Sequence, residues 1–468
     1  MKASKKLHFI GIGGAGMSGI AQVSRSLGYE VSGSDLKRSR YTRMLNAIGI
    51  EVAFGHDPAN LRQPGGQPDA VVVSSAISSQ NVELNAALDL GIPVYHRAQM
   101  LAELMGMKRG IAIAGTHGKT TTTSMVAHTM ELLGLEPSYV VGGELNDVGS
   151  NARAGSGDWL VAEADESDGS LLYLHPEIAV ITNVELDHHS HYSSIEQVVE
   201  VFERFVAGLP ADGALVIWDT PQLRRLAAST KARVITYGLN GDSDYRAENI
   251  LVTRDGTSFL LSLPQGEGAS GREQVVLSVR GSHNVLNAMA ALAVLDQLGA
   301  APATAAPALT RFSGAARRFE IKGEAGGVTI VDDYAHHPTE IQATLEAARA
   351  AGWSRIIGAF QPHLYSRTRY LHDEFGRALN LCDLAIVTDV FGAREEPEPG
   401  ISGKLIVDSA LKWEPEANIA YIPKARDIVP LLLDELRPGD LVLTLGAGDI
   451  FKVGEELLAA LERQASLV

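Results

Sequence analysis

At 468 residues the chain exceeds the roughly 250 to 300 at which single hydrophobic cores stop growing, so two or three domains are expected. Lysine and arginine number 40 against 56 aspartates and glutamates, a formal net charge of −16, which excludes a general nucleic-acid or anionic-membrane surface. The single cysteine, Cys382, excludes an internal disulfide and a thiolate zinc cage and suits a reducing cytoplasm.

In chain order, the start MKASKKLHFIGIGG reaches glycine after four mostly apolar positions, and nowhere do about 18 apolar residues run together. We read it as unprocessed, with no membrane insertion and a cytoplasmic location. Val/Ile-rich runs then alternate with helical patterns, the signature of parallel sheets covered by helices. The first block, 1–107, holds KLHFIGIG, YEVSGSD, PDAVVVSSAI and IPVYHRAQML, and breaks at the basic, glycine-containing MGMKRG. The second, 108–313, holds RGIAIAG, DWLVAEAD and EIAVITNV, a strand-like alternation over 244–280 and the helix HNVLNAMAALAVLDQLG. The third, 314–468, restarts with GVTIVDDYA and continues through RIIGAFQ, CDLAIVTDV and DLVLTLGAGD. Three α/β domains in series follow.

Two glycine-rich turns carry chemistry. Gly11, Gly13 and Gly16 fit G-x-G-x-x-G after a strand, and Asp35 ends the next strand 19 residues beyond Gly16. Such a turn brings backbone amides and a helix N-terminus to a diphosphate and offers a carboxylate to a sugar, so any nucleoside diphosphate satisfies it. The second turn, IAIAGTHGKTTTTS, departs from G-x-x-x-x-G-K-[ST] because Ile113 stands where the first glycine belongs. Gly115, Thr116, His117, Gly118, Lys119, Thr120 and Thr121 still form a phosphate cradle. Lys119, on an exposed loop, reaches the β and γ phosphates, and the Thr120 hydroxyl can ligate Mg²⁺.

The next two strands end in oxygen donors: Glu163, Asp165, Glu166 and Asp168 in WLVAEADESDGS, then Asn183, Glu185, Asp187 and His188 in VITNVELDHHSHY. Either segment alone reads as a solvated acidic loop; at the carboxyl ends of strands flanking a phosphate cradle they suit Mg²⁺. His188, His189 and His191 on one short turn, without other ligands, make a weak zinc site.

These residues, with GIGGAGM, GTHGKTTTT, AEADESD, TNVELDH, GSHNVLNA, ARRFE, DDYAHHPTE, FQPHLYSRTR and LGAGDI in that order over about residues 8 to 450, resemble the ATP-dependent Mur ligases of peptidoglycan synthesis. The resemblance implies an α/β fold of three domains in series: a Rossmann-like N-terminal domain for a UDP-sugar, a P-loop-type central ATPase domain, and a Rossmann-like C-terminal domain that closes with the amino acid. Two cradles then serve two polyphosphates. It further implies UDP-sugar contacts at Gly11, Gly13, Gly14, Ala15, Gly16, Met17, Asp35, Ser74 and Ala76, and ATP contacts at 115–121 and Asn183. His283, Asn284 and Asn287 would meet the adenine, a stretch that otherwise reads as an ordinary helix start. Arg318 would reach the ATP phosphates and Asp333 the ribose. Thr120, Glu163 and His188 would hold two Mg²⁺ ions, with Lys119, Glu163, His188 and Arg318 as the catalytic set. Tyr334, His336, His363 and Arg367 would line the amino-acid site, where Leu364 replaces an arginine carried by some relatives.

The implied reaction joins L-alanine to the lactyl carboxylate of UDP-N-acetylmuramate through an acyl phosphate, at the expense of ATP. The alternative within the family is attachment of recycled tripeptide to the same UDP-sugar. A nicotinamide-dependent redox enzyme would use the first turn only, and a nucleotide switch the second only. Members adding later residues of the peptide employ a carboxylated lysine as metal ligand; between Lys119 and Lys231 this chain has no lysine, and the helix SSIEQVVEVFERFVAGL offers Glu196, Glu200 and Glu203 instead.

Overall fold

The computed structural model describes residues 5–62, 66–146, 150–188, 191–239, 241–263, 271–393 and 395–465. They gather into two compact units, Met1–Glu185 with Ser194–Tyr245 and Ala288–Ala308, and Leu186–Ser193 with Arg246–Asn287 and Leu309–Val468.

The first unit begins with a parallel sheet of β1 (Lys6–Ile10), β2 (Glu30–Asp35), β3 (Glu51–Phe54), β4 (Ala70–Val73) and β5 (Val94–His96), in the order β3-β2-β1-β4-β5. Helices α1 (Ala15–Ser26), α2 (Arg40–Ala47), α3 (Val82–Asp89) and α4 (Arg97–Met105) connect it. A central parallel strand is covered on both faces, so Leu7, Phe9 and Ile10 of β1 are all buried without alternation. The strand order reverses at β1, and the first glycine turn leaves its carboxyl end, the usual place for a ligand crevice.

A second sheet repeats the plan with β6 (Arg109–Ala114), α5 (Lys119–Leu132), β7 (Ser138–Leu145), β8 (Ser150–Arg153), β9 (Trp159–Glu163), β10 (Ile178–Ile181), α6 (Ile195–Ala207), β11 (Ala214–Trp218), α7 (Pro221–Ala227) and β12 (Arg233–Gly238). Its order in this unit is β12-β11-β10-β6-β9-β7-β8, parallel except for β8. The second glycine turn follows β6, flanked by β10 and β9. Helix α1 packs on β7 and β8 through a glycine: a β-carbon on Gly19 would stand 2.9 Å from Ala152 Cβ and 3.3 Å from Val140 Cγ1. Asn151 Nδ2 donates to the Ala15 carbonyl beside it at 2.5 Å.

In the second unit, the strand-like stretch forms the antiparallel β13 (Tyr245–Thr253), β14 (Gly256–Ser262) and β15 (Arg272–Leu277), and α8 (Ser282–Gln297) opens there before its later turns pass to the first unit. After α9 (Pro302–Leu309) come β16 (Glu320–Ala325), β17 (Val328–Asp333), α10 (Pro338–Ala350), β18 (Arg355–Phe360), α11 (Tyr365–Leu379), β19 (Leu384–Val387), α12 (Gly403–Trp413), β20 (Ile419–Tyr421), α13 (Ile428–Glu435), β21 (Asp440–Leu445) and α14 (Phe451–Ala465). The sheet order is β16-β17-β21-β18-β19-β20, and only β16 runs antiparallel. Alternation along β17 sends Val331 into the core with α10 and α11 and Ile330 into the core with α13 and α14. Among the described residues no helix is long and apolar enough to cross a membrane.

Candidate active site

At the first turn Gly11 takes φ +75°, and its amide and that of Ile12 donate to the Ser34 carbonyl at 2.8 and 3.0 Å. The Asp35 carboxylate is committed to backbone: Oδ2 accepts from Gly13 N at 2.9 Å and Oδ1 from Lys37 N at 3.0 Å. It therefore shapes the turn itself. A β-carbon on Gly13 would stand 2.7 Å from Thr42 Cγ2 and 2.9 Å from Asp35 Oδ2, so only glycine fits. Gly14, Ala15 and Gly16 open α1, whereas the Met17 side chain is buried and anchors the helix. Ile77 Cδ1 comes 3.0 Å from where a β-carbon on Gly11 would be, which brings the loop of Ser74 and Ala76 beside the turn.

Beneath this turn lies a polar network that sequence patterning passed over. Glu83, fully buried in the first turn of α3, accepts from Ser34 Oγ, from His56 Nδ1 at 2.8 Å and from Asn60 Nδ2 at 2.5 Å, with His8 Nε2 3.6 Å away. Burial works against the carboxylate charge, but the surrounding donors outweigh it and hold its pKa at about 2. Neighbouring Val82 is exposed, the inverse of an amphipathic helix, so periodicity gives no sign of it.

The second turn is held by Asn183, whose Oδ1 accepts from His117 N at 2.8 Å and whose Nδ2 donates to His117 O at 3.0 Å. Thr116 N donates to the Asn183 carbonyl at 3.0 Å, and the Thr116 hydroxyl accepts from Glu185 N at 2.9 Å. Gly115 at φ +132° and Gly118 at φ +83° supply the bends; a β-carbon on Gly115 would fall 2.0 Å from Thr182 Oγ1. Lys119 opens α5 and, contrary to an exposed-loop reading, is largely buried. Its ammonium donates to the Gly115 carbonyl at 2.5 Å, to the Thr116 carbonyl at 3.1 Å and to Glu166, itself 2% exposed, at 2.9 Å. Burial opposes the charge on Lys119, yet Glu166, Asp165 and Glu163 hold its pKa above the ordinary lysine value. Thr121 is buried. Glu163 and Thr120 each approach β7: Glu163 Oε1 accepts from Gly142 N at 2.7 Å, and the Thr120 methyl lies 3.2 Å from where a β-carbon on Gly143 would stand.

The remaining predicted residues lie in the second unit. His188, at φ +54°, follows Asp187, whose carboxylate takes a buried two-pronged contact from Arg367 at 3.0 Å. Burial disfavours the Asp187 charge, but Arg367 overrides it and holds its pKa well below the carboxylate range. His189 lies outside the described residues. Four residues predicted for the amino-acid site come together: Tyr334 and His336 ring centroids are 5.2 Å apart, His336 and His363 5.9 Å, and Arg367 Nη1 lies 3.2 Å from His363 Nδ1. Burial pushes His336 down to about 3, leaving a neutral ring. Leu364, between them, sits at φ +72°, a strained region for a side-chain-bearing residue, its amide donating to the Phe391 carbonyl at 3.0 Å.

His283, Asn284 and Asn287 share the start of α8, with Asn284 Nδ2 on the Arg280 carbonyl at 2.7 Å and Asn287 Nδ2 on Asn284 Oδ1 at 3.2 Å. Burial, with Arg318 nearby, lowers the His283 pKa to about 4. Asp333 is buried and holds the amides of Phe319 and Ala335 at 2.8 and 2.7 Å; burial pushes it up to about 6. Of the two adjacent arginines, Arg317 is locked on Asp332 at 2.8 Å and the Gly446 carbonyl at 2.7 Å, while Arg318 has a looser contact with Glu340 at 3.5 Å.

Three family models match in succession: "Mur ligase family, catalytic domain" over residues 6–109, "Mur ligase middle domain" over 113–295 and "Mur ligase, glutamate ligase domain" over 317–448. The chain belongs to the Mur ligase family. Among members of that family, the UDP-N-acetylmuramate–L-alanine ligase of Rubrobacter xylanophilus is 52% identical over 459 residues, covering 97% of this chain and 100% of that protein. The crystal structure of UDP-N-acetylmuramate-alanine ligase from Thermotoga maritima matches with TM-score 0.80 at 29% identity, over 98% of this chain and 99% of that one. A murein peptide ligase from Psychrobacter arcticus matches with TM-score 0.71 at 26% identity, over 98% of this chain and 99% of that one. The α/β fold with Mur ligase domains in series thus agrees with the reading of the sequence.

Proposed function

We propose that this Mur ligase joins L-alanine to the lactyl carboxylate of UDP-N-acetylmuramate with cleavage of ATP to ADP and phosphate. The observation that carries this is the end-to-end 52% identity to an enzyme named for that reaction. The similarity to a murein peptide ligase is lower, which argues against attachment of recycled tripeptide. The family-model limits at 109, 113 and 317 support domains of 1–107, 108–313 and 314–468 for UDP-sugar, ATP and amino acid. We place the reaction in the cytoplasm, in keeping with one cysteine and with ATP as co-substrate.

A carboxylate is a poor electrophile. Its oxygen attacks the γ-phosphorus, the bond to the β,γ-bridging oxygen breaks and ADP leaves; the alanine amine then attacks the acyl carbon, expels phosphate and loses a proton. Lys119, already charged, exchanges its contact with Glu166 for phosphate oxygen, and Arg318 supplies a second cation. The Thr120 hydroxyl and the Glu163 carboxylate are the hard oxygen donors that Mg²⁺ favours; with His188 they would hold it, as two ions in our reading. Bound Mg²⁺ would offset the charge of the two anions brought together. His283, Asn284 and Asn287 are assigned to the adenine, Asp333 to the ribose side, and Tyr334, His336, His363 and Arg367 to alanine.

The test is phosphate release from ATP with UDP-N-acetylmuramate and a panel of L-alanine, L-serine, glycine and tripeptide. Alanine-dependent release is expected; release only with tripeptide would overturn the reading.

A further inference from the structure

This inference rests on the UDP-sugar reading of the first turn. Residues 11–17 carry no cation, and Asp35 adds a negative charge beside them. A diphosphate bound there, on a chain of net charge −16, needs positive charge from elsewhere. Of the cations that follow β2, Lys37 is exposed, Arg38 stacks over the Phe54 ring at 4.6 Å, and Arg40 and Arg43 of α2 are exposed.

The start of α4 offers a better candidate. His96 caps this helix: its Nδ1 accepts from Ala98 N at 3.4 Å, and its own amide donates to Gln99 Oε1 at 2.7 Å. The ring is not the cation, because burial lowers its pKa below the ordinary imidazole value. The cap fixes Arg97 as the first helical residue, with its side chain directed back past the helix start. Arg97 Nη2 donates to Asp165 Oδ2 at 2.5 Å. Nη1 stands 3.9 Å from the point where a β-carbon on Gly16 would be, against the opening turn of α1. Asp165 is itself fixed, its Oδ1 accepting from Ser167 N at 3.0 Å.

We propose that Arg97 is the cation of the first turn: its guanidinium edge beside Gly16 binds the diphosphate of the nucleoside-diphosphate substrate, and Asp165 aims it. Arginine suits this because its planar fork can keep one prong on a carboxylate while the other meets a phosphate. Asp165 belongs to the acidic loop around Lys119, so the same ion pair ties the substrate's anion to the ATP-side turn.

The experiment titrates the full chain with UDP, which has the diphosphate but no lactyl carboxylate, by calorimetry. Arg97→Met should weaken UDP binding by about tenfold to hundredfold, the worth of a charged hydrogen bond, and Arg97→Lys by less. Affinity for a nonhydrolysable ATP analogue should stay within about threefold, which also certifies the fold; if Arg97→Met does not fold, Arg97→Lys carries the comparison. Unchanged UDP affinity would overturn the proposal. So would loss confined to UDP-N-acetylmuramate, which would move the contact to the carboxylate. A wild-type protein that binds no UDP would sink the substrate reading and this inference with it, whereas wild-type binding unaffected by the variants sinks only the inference.

Discussion

The two glycine-rich turns occupy equivalent positions, each leaving a parallel strand where the strand order reverses, and they are built on opposite electrostatic plans. The second carries its own cation, Lys119, stored on the nearly buried Glu166 and on two carbonyls of its own loop. The first carries an anion, Asp35, spent on its own amides, and takes its cation from another helix. The second plan suits a polyphosphate whose charge must be met at the moment of transfer. The first suits a diphosphate that is only held.

The sharpest way to break this contrast is Lys119→Ala, expected to lower turnover by about 10² to 10³-fold. Because it strands Glu166, it should also lower the melting temperature. Lys119→Ala with Glu166→Gln should recover the melting temperature and none of the turnover, read by circular dichroism and phosphate release; near-normal turnover in the folded single variant would remove Lys119 from the mechanism.

Next come paired glycine substitutions. Gly13→Ala forces a β-carbon to 2.9 Å from Asp35 Oδ2 and should raise KM for UDP-N-acetylmuramate about tenfold while KM for ATP holds. Gly115→Ala, with its β-carbon 2.0 Å from Thr182 Oγ1, should do the reverse. Equal effects on both substrates would erase the distinction between the turns.

Acid tests the first turn alone. Glu83 titrates at about 2 in the folded protein against an ordinary 4.5, so the unfolded chain binds its proton first. Its stabilisation, about 3 kcal/mol, is complete above pH 4.5 and disappears as pH falls toward 2. Hydrogen exchange of β1 and β2 should therefore accelerate from pH 5 to pH 3 beyond the intrinsic trend in wild type, and less so in Glu83→Gln. The smallest effect expected is none: turnover in CO₂-free buffer should match that with bicarbonate, because no lysine between Lys119 and Lys231 is available for carboxylation.

What the sequence made legible were features with a local signature. Gly11, Gly115 and Gly118 announce left-handed backbone, and Lys119 stands where such a turn passes into a helix. Its burial was not legible, because Glu166 arrives from another strand end and a one-dimensional pattern reads the loop as solvated. Arg97 opens an ordinary helix, and only the fold brings it between Gly16 and Asp165. Arg367 could be grouped with His363 from its motif; its bond to Asp187, 180 positions away, could not be read there. Asp35 reads as a sugar ligand from spacing, while its grip on Gly13 emerges only from the fold.

The glycine at position 19 has a consequence for how such chains vary. With Ala152 2.9 Å from any β-carbon there and Val140 at 3.3 Å, the helix of the first turn and the hairpin beside the second should vary as a pair. Gly19→Ala alone should be selected against, yet regain fitness when Ala152 becomes glycine. In a saturation library spanning both positions, survivors with a larger residue at 19 should therefore be enriched for a smaller one at 152. A graft of the first nucleotide-binding module from a distant relative should fail unless its hairpin partner travels with it.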